Sequence, residues 1–418
     1  MIFKENTKSV PITTEQVWAA YQEVRTHGKA AGVDELTLKD YDLVKSKELY
    51  KVWNRMASGS YFPAPVRRKE IPKSDGKKRK LGIPTVSDRV AQTVVKSYLE
   101  PQLEPHFHKN SFAYRPNRNG QQAIEQATHQ CYEKAWVLDL DIEGFFDNLD
   151  HELVMRALQK HTTEKWVLMY IERWLKAPIE HEDGSWEYPT KGSPQGGVVS
   201  PLLSNLYLHY TFDKWMSIWY SGIEFERYAD DIIVHCWTKE EAEQLLVAIK
   251  ERFEQCGLRL HPEKTKIVYC KNSNREGNHE NVSFDFLGLT FKPKKSKNLK
   301  TGKIFTGFGP AKISKKSTKK IMDTIRSKKL HRRMNSDLVD LAQEMTDHLH
   351  GWINSYYGRV KLQLLGPMMQ NLNYRLVSWA CNRHKRFGGS LWQARLWLRE
   401  IHRDYPNMFV HWKYGFQP

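Results

Sequence analysis

Two short acidic segments constrain most strongly what this chain can fold into, because each lies at the end of a strongly apolar strand pattern. In the first, residues 136–142 alternate, with Leu138 and Leu140 on one face and Asp139 and Asp141 on the other. An alternation with period two predicts a β-strand that buries one face. The strand therefore carries its two acids on a single face, close to its carboxyl end.

The second acidic segment lies in a predicted β-hairpin over residues 225–236, with its turn at Ala229 and Asp230. Neither turn residue favours the positive φ angles of common two-residue hairpin turns. An unfavourable turn within a good strand pair indicates strain that is retained for function. Acids beside apolar strands are also costly unless a cation or a metal ion compensates them.

If the two segments adjoin in the fold, their carboxylates repel one another unless divalent cations bind between them. Two ions about 3.5–4 Å apart can activate an attacking oxygen and stabilise a leaving oxygen. Mg²⁺ prefers oxygen ligands and substrate phosphates. This chemistry is phosphoryl or nucleotidyl transfer. Each segment alone is weak evidence, because short acidic strings are common and are usually solvated turns.

The charge of the chain indicates a polyanionic partner. Its 418 residues carry a formal net charge of +17, and 12% are aromatic. Between Lys292 and Arg333 there are sixteen Lys or Arg against one acid, Asp323. So many like charges would repel one another in solvent alone, which favours contact with nucleic-acid phosphates over a solvated linker. Gly302, Gly307, Gly309 and Pro310 predict a connector in the first half of this segment.

Composition excludes other classes of protein. With 40% hydrophobic residues the chain can bury a large core, so disorder throughout is excluded. Its five cysteines include no Cys-x-x-Cys pair, which argues against a disulfide framework and a zinc knuckle. No apolar run is long enough for a signal peptide or a membrane span. We therefore expect a cytoplasmic protein with no membrane partner.

Nine sequence blocks follow one another in an order that resembles the reverse transcriptases, in the form of bacterial group II intron-encoded proteins. The resemblance covers residues 28–291 closely, and a tenth block, GWINSYY at 351–357, resembles the maturase or thumb block of that family. The nine blocks are RRKEIPK (67–73), RKLGIPT (79–85), SFAYRP (111–116), LDIEGFFD (140–147), GSPQGG (192–197), SPLLSN (200–205), RYADD (227–231), LRLHPEKTK (258–266) and FLG (286–288).

The resemblance implies an α+β right-hand polymerase fold, with fingers and palm followed by an α-helical thumb. We expect an N-terminal extension at 1–60, opened by a helix with a capping box at Thr13–Gln16 and an end near residue 27. Fingers and palm would occupy 61–291, and a basic connector with the helical thumb or maturase region 292–359. Residues 360–418 would form a basic, Trp-rich helical appendage that either binds nucleic acid or has only its own core.

By the same resemblance, Asp141, Asp230 and Asp231 are the catalytic carboxylates that bind two Mg²⁺ ions, with Mn²⁺ as a substitute. The backbone carbonyl of Ile142 adds a metal ligand. Phe146, five residues after Asp141, would be the aromatic residue that clashes with a ribose 2′-OH. Phe145 and Phe146 also read as a core pair, so we expect each to take one of the two roles. Whether Asp139 binds metal stays open.

Further substrate-binding residues follow from the other blocks. Lys73 and Arg79 match fingers residues that bind the triphosphate of the incoming nucleotide. Gln195 would hydrogen-bond the sugar or base. Lys264 is either a general acid towards pyrophosphate or a surface lysine. Arg115 is either a template-facing residue or a structural arginine.

The implied partners are an RNA template, intron RNA, a DNA primer or target, and dNTPs. Two alternatives to a polymerase with splicing activity stay open. The protein acts mainly as a non-catalytic RNA-binding maturase, or it is a reverse transcriptase recruited by its host for defence. Relatives often end in an endonuclease domain with paired cysteines, and the sequence predicts none here.

Overall fold

The computed structural model describes residues 10–26, 30–72, 78–297, 301–356 and 362–418. The chain forms two compact units: Met1–Ala123 with Trp136–Ile267, and Ile124–Ala135 with Val268–Pro418. None of the helices in the described ranges is both long enough and apolar enough to cross a bilayer.

The first unit mixes helices with two small sheets, and two elements, α4 and β8, run across its boundaries. In chain order the elements are α1 (Thr14–Thr26), α2 (Leu38–Ala57), β1 (Val66–Pro72), β2 (Lys78–Ile83), α3 (Val86–Leu103), α4 (Gly120–Glu133), β3 (Trp136–Asp141), α5 (His151–Leu158), α6 (Lys165–Leu175), β4 (Ile179–Glu180), β5 (Trp186–Glu187), α7 (Ser200–Leu208), α8 (Lys214–Trp219), β6 (Glu224–Tyr228), β7 (Asp231–Cys236), α9 (Lys239–Gln255) and β8 (Lys266–Tyr269).

One sheet, in the order β6-β7-β3-β8, contains both acidic segments. Strands β6, β7 and β3 pair antiparallel. Leu138 and Leu140 are fully buried on one face of β3, whereas Asp139 and Asp141 on the other face are partly accessible. The alternation predicted from the sequence is confirmed, and the hairpin over residues 225–236 is confirmed with it.

A second sheet, in the order β2-β1-β4-β5, is built on the antiparallel pair β1 and β2. It is joined to the loop at residues 192–197 by a hydrogen bond from the backbone N–H of Gly82 to the carbonyl of Gln195, at 2.9 Å. This bond holds strand β2 against the loop, so the basic residues of β2 lie next to it.

The capping box predicted for the first helix is present. The backbone N–H of Gln16 donates to Thr13 Oγ1 at 3.3 Å, and the N–H of Thr13 donates to Gln16 Oε1 at 2.9 Å. These bonds satisfy two amides that the first helical turn leaves without partners. The helix is described as far as Thr26, and its predicted end near residue 27 lies outside the described residues.

The second unit combines a three-stranded sheet, in the order β11-β10-β9, with the greater part of α4 and four further α-helices in its described part. Its elements are β9 (Phe284–Phe286), β10 (Leu289–Lys297), β11 (Ile304–Ile313), α10 (Lys315–Ser327), α11 (Leu338–Tyr356), α12 (Gly366–Arg383) and α13 (Leu391–Asp404).

Where glycines and a proline predicted a connector, the chain forms the antiparallel pair β10 and β11. The strand pair is stabilised by buried aromatic rings, since Phe291 stacks on Phe284 with ring centroids 4.8 Å apart and Phe308 is also buried. Pro293 is tolerated because β9 pairs only with residues 289–291, so the edge beside Pro293 needs no donor. The turn residues had concealed this apolar pattern.

Candidate active site

The turn between β6 and β7 brings Asp230 and Asp231 towards Asp141. In the strand register Asp141 lies directly opposite Asp231, and Tyr228 lies opposite Asp231 on the other side. Ala229 adopts a left-handed conformation with φ of 59°, which is unfavourable for a residue with a Cβ atom. The strain expected from the turn sequence is therefore present, immediately before the two acids.

A buried ion pair next to this turn stabilises it. The Arg227 guanidinium donates to both carboxylate oxygens of Asp213 at 2.6 and 2.7 Å. Its Nη1 donates to Asn205 Oδ1 at 3.0 Å and to the carbonyl of Ala229 at 3.3 Å. Burial by itself raises the pKa of Asp213, but the charge and hydrogen bonds of Arg227 outweigh burial and lower it. The strained residue is thus fixed to a charged network.

Asp141 is held by a segment that pairs alongside it. The N–H of His261 donates to the carbonyl of Asp141, and the N–H of Glu143 donates to the carbonyl of Arg259, both at 2.8 Å. These two bonds flank Ile142, and neither uses its carbonyl. The segment also brings Lys264 Nζ to 3.0 Å from Asp141 Oδ2. Lys264 is thus an exposed lysine that lies beside one of the acids, which is compatible with both of its predicted roles.

The donor set suits a hard divalent cation. No group of three or more acid, imidazole or thiol side chains is already arranged around a metal position within the described ranges. All three aspartates are nevertheless partly accessible, and Asp141 is 40% exposed beside a 55% exposed lysine. An exposed ion pair of this kind is weak and can exchange partners. Carboxylates and a backbone carbonyl that is not used in strand pairing are the ligands Mg²⁺ prefers.

Phe145 and Phe146 are separated by their environments. Phe145 is buried in the core, whereas Phe146 is partly exposed and their ring centroids lie 5.3 Å apart. Phe146 lines a cavity of about 130 Å³ together with Gln195 and Gly82. Each phenylalanine thus has the environment that one of the two predicted roles requires.

Gln195, which lines this cavity, is in contact with Arg79. Arg79 Nε donates to Gln195 Oε1 at 2.8 Å. Their contact depends on the close approach of two glycines, since a Cβ atom on Gly196 would lie 2.4 Å from the carbonyl oxygen of Gly82. Lys73, the other predicted triphosphate ligand, lies outside the described residues.

We expect Gly196→Ala to destabilise the protein by about 2 kcal/mol and to reduce any activity that needs Arg79 and Gln195 together. Gly196 has φ of 127°, and its Cβ would push β2 away from the loop. Urea unfolding and steady-state kinetics measure the two effects. Gly222→Ala is the matched control, because a Cβ there meets no atom within 4 Å. Equal stability of the two variants would contradict this packing argument.

The surroundings of Arg115 favour the structural alternative. Its guanidinium donates to Glu104 at 2.8–3.1 Å and to the carbonyls of His108 and Ser111 at 2.7 Å. The side chain is only 5% exposed. In this arrangement the arginine is fully engaged in holding its own loop.

The neighbouring Tyr114 lies nearer the acids, and sequence reasoning missed it. Its backbone is left-handed with φ of 53°, and its ring is 53% exposed. Burial is the main cause that raises the pKa of its hydroxyl, and the negative charge of Asp230 adds to the effect. The loop reaches this position because Phe112 donates its N–H to the carbonyl of Arg227 at 2.9 Å. The signal in the sequence was an aromatic residue directly before Arg115 in the SFAYRP block.

Comparison with known families gives two matches. The profile described as reverse transcriptase (RNA-dependent DNA polymerase) matches residues 71–291. A second profile, described as the maturase-specific domain of group II introns, matches residues 318–397.

Individual relatives show the same similarity. Protein YkfC of Escherichia coli is 32% identical over 304 residues, which are 64% of this chain and 77% of that protein. The group II intron-encoded protein LtrA of Lactococcus lactis is 33% identical over 202 residues, 48% of this chain and 33% of LtrA. A nuclear intron maturase of Arabidopsis thaliana is 33% identical over 93 residues, 22% of this chain and 13% of that protein.

Proposed function

Because this chain belongs to the reverse transcriptases, which are RNA-directed DNA polymerases, and contains the maturase-specific domain of group II intron proteins, we propose that it extends a primer 3′-OH with dNTPs on an RNA template. The observation that carries the proposal is the register of β3 and β7, which places Asp141 opposite Asp231 beside the strained turn. Like charges that the fold brings together at one sheet end cost free energy, and bound cations would offset that cost.

In this proposal Asp141, Asp230, Asp231 and the carbonyl of Ile142 hold two Mg²⁺ ions, for which Mn²⁺ can substitute. The ions would supply activation of the primer hydroxyl and stabilisation of the leaving pyrophosphate. Lys264 compensates the charge of Asp141 before substrates bind, and it lies close enough to the acids to protonate pyrophosphate.

The fingers residues would bind the incoming nucleotide. Arg79, together with Lys73, contacts the triphosphate, since cations there offset the charge that develops during transfer. Gln195 holds Arg79 through its side-chain carbonyl and presents its amide to the sugar or base. Gly82 and Gly196 keep the two residues together.

Phe146→Ala is expected to weaken the preference for dNTPs over NTPs by about 10- to 200-fold. The ring is the partly exposed member of the Phe145–Phe146 pair and lines the cavity beside Gln195. Without it, a ribose 2′-OH no longer meets a steric barrier. Competition between dNTP and NTP in single-nucleotide extension measures the change. Phe146→Tyr keeps the ring and should keep the preference, and an unchanged preference in Phe146→Ala would remove Phe146 from this role.

The direct test is primer extension by the purified full chain on an RNA template with a DNA primer and dNTPs. We expect synthesis that requires Mg²⁺ or Mn²⁺ and stops when EDTA is added. A well-folded preparation that binds the template–primer but adds no nucleotide would refute the proposal.

A second proposed function is splicing assistance, which the maturase-specific match at 318–397 supports. Lysines of β10 and β11 precede this region in the chain, and the basic helix α10 lies at its start; both suit contact with intron RNA phosphates. Splicing of a group II intron RNA at low Mg²⁺, with and without protein, tests it. Stimulation by a polymerase-inactive variant would show that the two functions are separable.

A further inference from the structure

A basic cavity of about 340 Å³ lies among α5, α7 and α9 and shares no lining residue with the cavity beside Phe146. Among its lining residues there is no acid. They are Leu153, Arg156, Ala157, Lys160, Tyr207, Tyr210, Thr211, Arg252, Gln255 and Cys256.

The cationic side chains that line the cavity form no ion pairs in the part of the chain that the structure describes. Arg156 on α5 and Lys160 just after it are one turn apart and exposed, and neither forms an ion pair within the described ranges. Arg252 is half-buried, and its Nε and Nη2 donate to the carbonyls of Thr211 and Tyr210 at 3.1 Å. These bonds fix the guanidinium at the wall of the cavity. The cavity therefore presents both mobile and fixed positive charge.

A π-helical turn, His209–Asp213, follows α7 and forms the wall that carries Tyr210. Such turns are uncommon and occur frequently at functional sites. Lys160 and Lys214 place their Nζ atoms 4.6 and 5.5 Å from the centre of the Tyr210 ring. The Tyr210 hydroxyl hydrogen-bonds His161 Nε2 at 2.8 Å.

The surroundings of His161 indicate a positive potential beside the cavity. Burial is the main cause that lowers the pKa of His161 to about 4, and the charges of His106, His209, Lys214 and Lys160 lower it further. Asp213 is the acid of the π-helical turn, and it is already paired with Arg227 and lies 3.8 Å from His209. Its charge is thus compensated within the protein and does not neutralise the cavity.

The cavity lies on the face of the sheet opposite to the aspartates. Arg227 pairs across the hairpin with Ile232, whereas Tyr228 pairs with Asp231. Side chains alternate between faces along a strand, so Arg227 and Asp231 point to opposite faces. Because Arg227 contacts Asp213 of the π-helical turn, that turn covers the face away from the acids. A ligand in the cavity cannot be the substrate of the polymerase site.

We propose that this cavity binds the phosphate backbone of an RNA other than the template, and this inference rests on the proposed RNA partner of the protein. The accessible cations at the rim suit a continuous backbone, which needs charge more than enclosure. A free nucleotide is the alternative ligand of this size, but it requires polar groups that orient its base. The ring of Tyr210 is already flanked by two lysines. Few other polar groups that could orient a base line the cavity.

The test uses the full chain with its polymerase site occupied by an RNA template, a DNA primer and a non-incorporable dNTP analogue. Binding of a fluorescein-labelled RNA hairpin to this complex is followed by anisotropy over a range of salt concentrations. For Arg156→Glu with Lys160→Glu we expect at least about a tenfold loss of affinity, and a salt dependence lower by about two phosphate contacts. Primer extension by this variant should be unchanged.

The matched control is Lys165→Glu with Lys250→Glu, which reverses the same charge at two exposed positions, on α6 and α9, that do not line the cavity and form no ion pair within the described ranges. It should bind the hairpin like the unmodified protein. If charge reversal on α5 impairs folding, Arg156→Gln with Lys160→Gln provides the milder comparison.

Two outcomes would overturn the inference: equal hairpin affinity of the α5 variant and its control, which a loss of AMP binding in the α5 variant would assign to a nucleotide site, or loss of primer extension together with hairpin binding. The last would place the cavity on the template path. Absence of primer extension in the unmodified protein, with hairpin binding still dependent on Arg156 and Lys160, would refute the proposed polymerase and leave this inference standing.

Discussion

Asp230→Ala is expected to lower the rate of primer extension by about 10³-fold or more while RNA binding stays within a few-fold of the unmodified protein. A carboxylate that holds catalytic cations contributes several kcal/mol to the transition state, and each 1.36 kcal/mol corresponds to about a factor of ten. Asp230 is partly accessible at a strained turn and not part of the core, so its removal should leave the fold intact. Single-turnover extension and filter binding measure the two quantities.

Asp141→Ala should behave in the same way, because Asp141 and Asp231 lie opposite each other in the register. Asp183→Ala is the matched control, since this exposed acid accepts hydrogen bonds from Ser185 at the tip of the β4–β5 hairpin, away from the three aspartates in the chain. It should extend primers normally. Near-normal extension by Asp230→Ala and Asp141→Ala would mean that the three acids are not the catalytic group, even though the family assignment would stand.

Sequence reasoning succeeded where a local pattern fixes the structure. The alternation from Trp136 to Asp141 predicted both the strand and the face on which its acids lie. The hairpin at 225–236 followed from two apolar runs around one turn, and the poor turn residues correctly indicated strain at Ala229. The ordered blocks led to the right-hand polymerase fold, which the reverse transcriptase match over residues 71–291 confirms.

Sequence reasoning was limited where packing between segments that are distant in the chain determines the structure. Lysine, glycine and proline between residues 292 and 313 predicted a connector, but a few buried phenylalanines form a strand pair there. The role of Arg115 depends on Glu104 and two carbonyls that no motif indicates. The left-handed backbone of Tyr114 and the network of Arg227 depend in the same way on distant segments.

The role of each proposed substrate-binding residue also depends on which segments are neighbours. The sequence placed Arg79 and Gln195 in separate blocks, and only the close approach of Gly82 and Gly196 shows how they meet. Glycine at positions with positive φ and with no room for a Cβ is a requirement of the packed structure. It can be read from the sequence only once the partner strand is known.

Arg227→Met is expected to destabilise the protein by about 3–5 kcal/mol and to reduce primer extension as well. The substitution leaves Asp213 as an uncompensated charge in a fully buried position. Removing one partner of a buried ion pair is strongly destabilising, because the remaining charge stays buried without compensation. It also removes the hydrogen bond to the carbonyl of Ala229, so the turn that carries Asp230 and Asp231 loses its support. Urea unfolding at neutral pH and extension kinetics measure the two effects.

The double variant Arg227→Met with Asp213→Leu separates stability from function. Replacing both charges with apolar groups is often nearly neutral for stability, so most of the lost stability should return while the turn stays unsupported and extension stays slow.

The pH dependence of the free energy of unfolding gives an independent check. In the unmodified protein the native pKa of Asp213 is lowered, so the stabilisation is complete above its ordinary value of about 3.9 and is lost as the pH falls through the lowered value. In Arg227→Met the contact with His209 still lowers that pKa, but burial, the largest influence on it, raises it, so we expect protonation to stabilise the variant and the difference between the two proteins to narrow as the pH falls. A difference that stays constant from neutral to acidic pH would show that the cost of Arg227→Met lies in lost packing and not in the charge of Asp213.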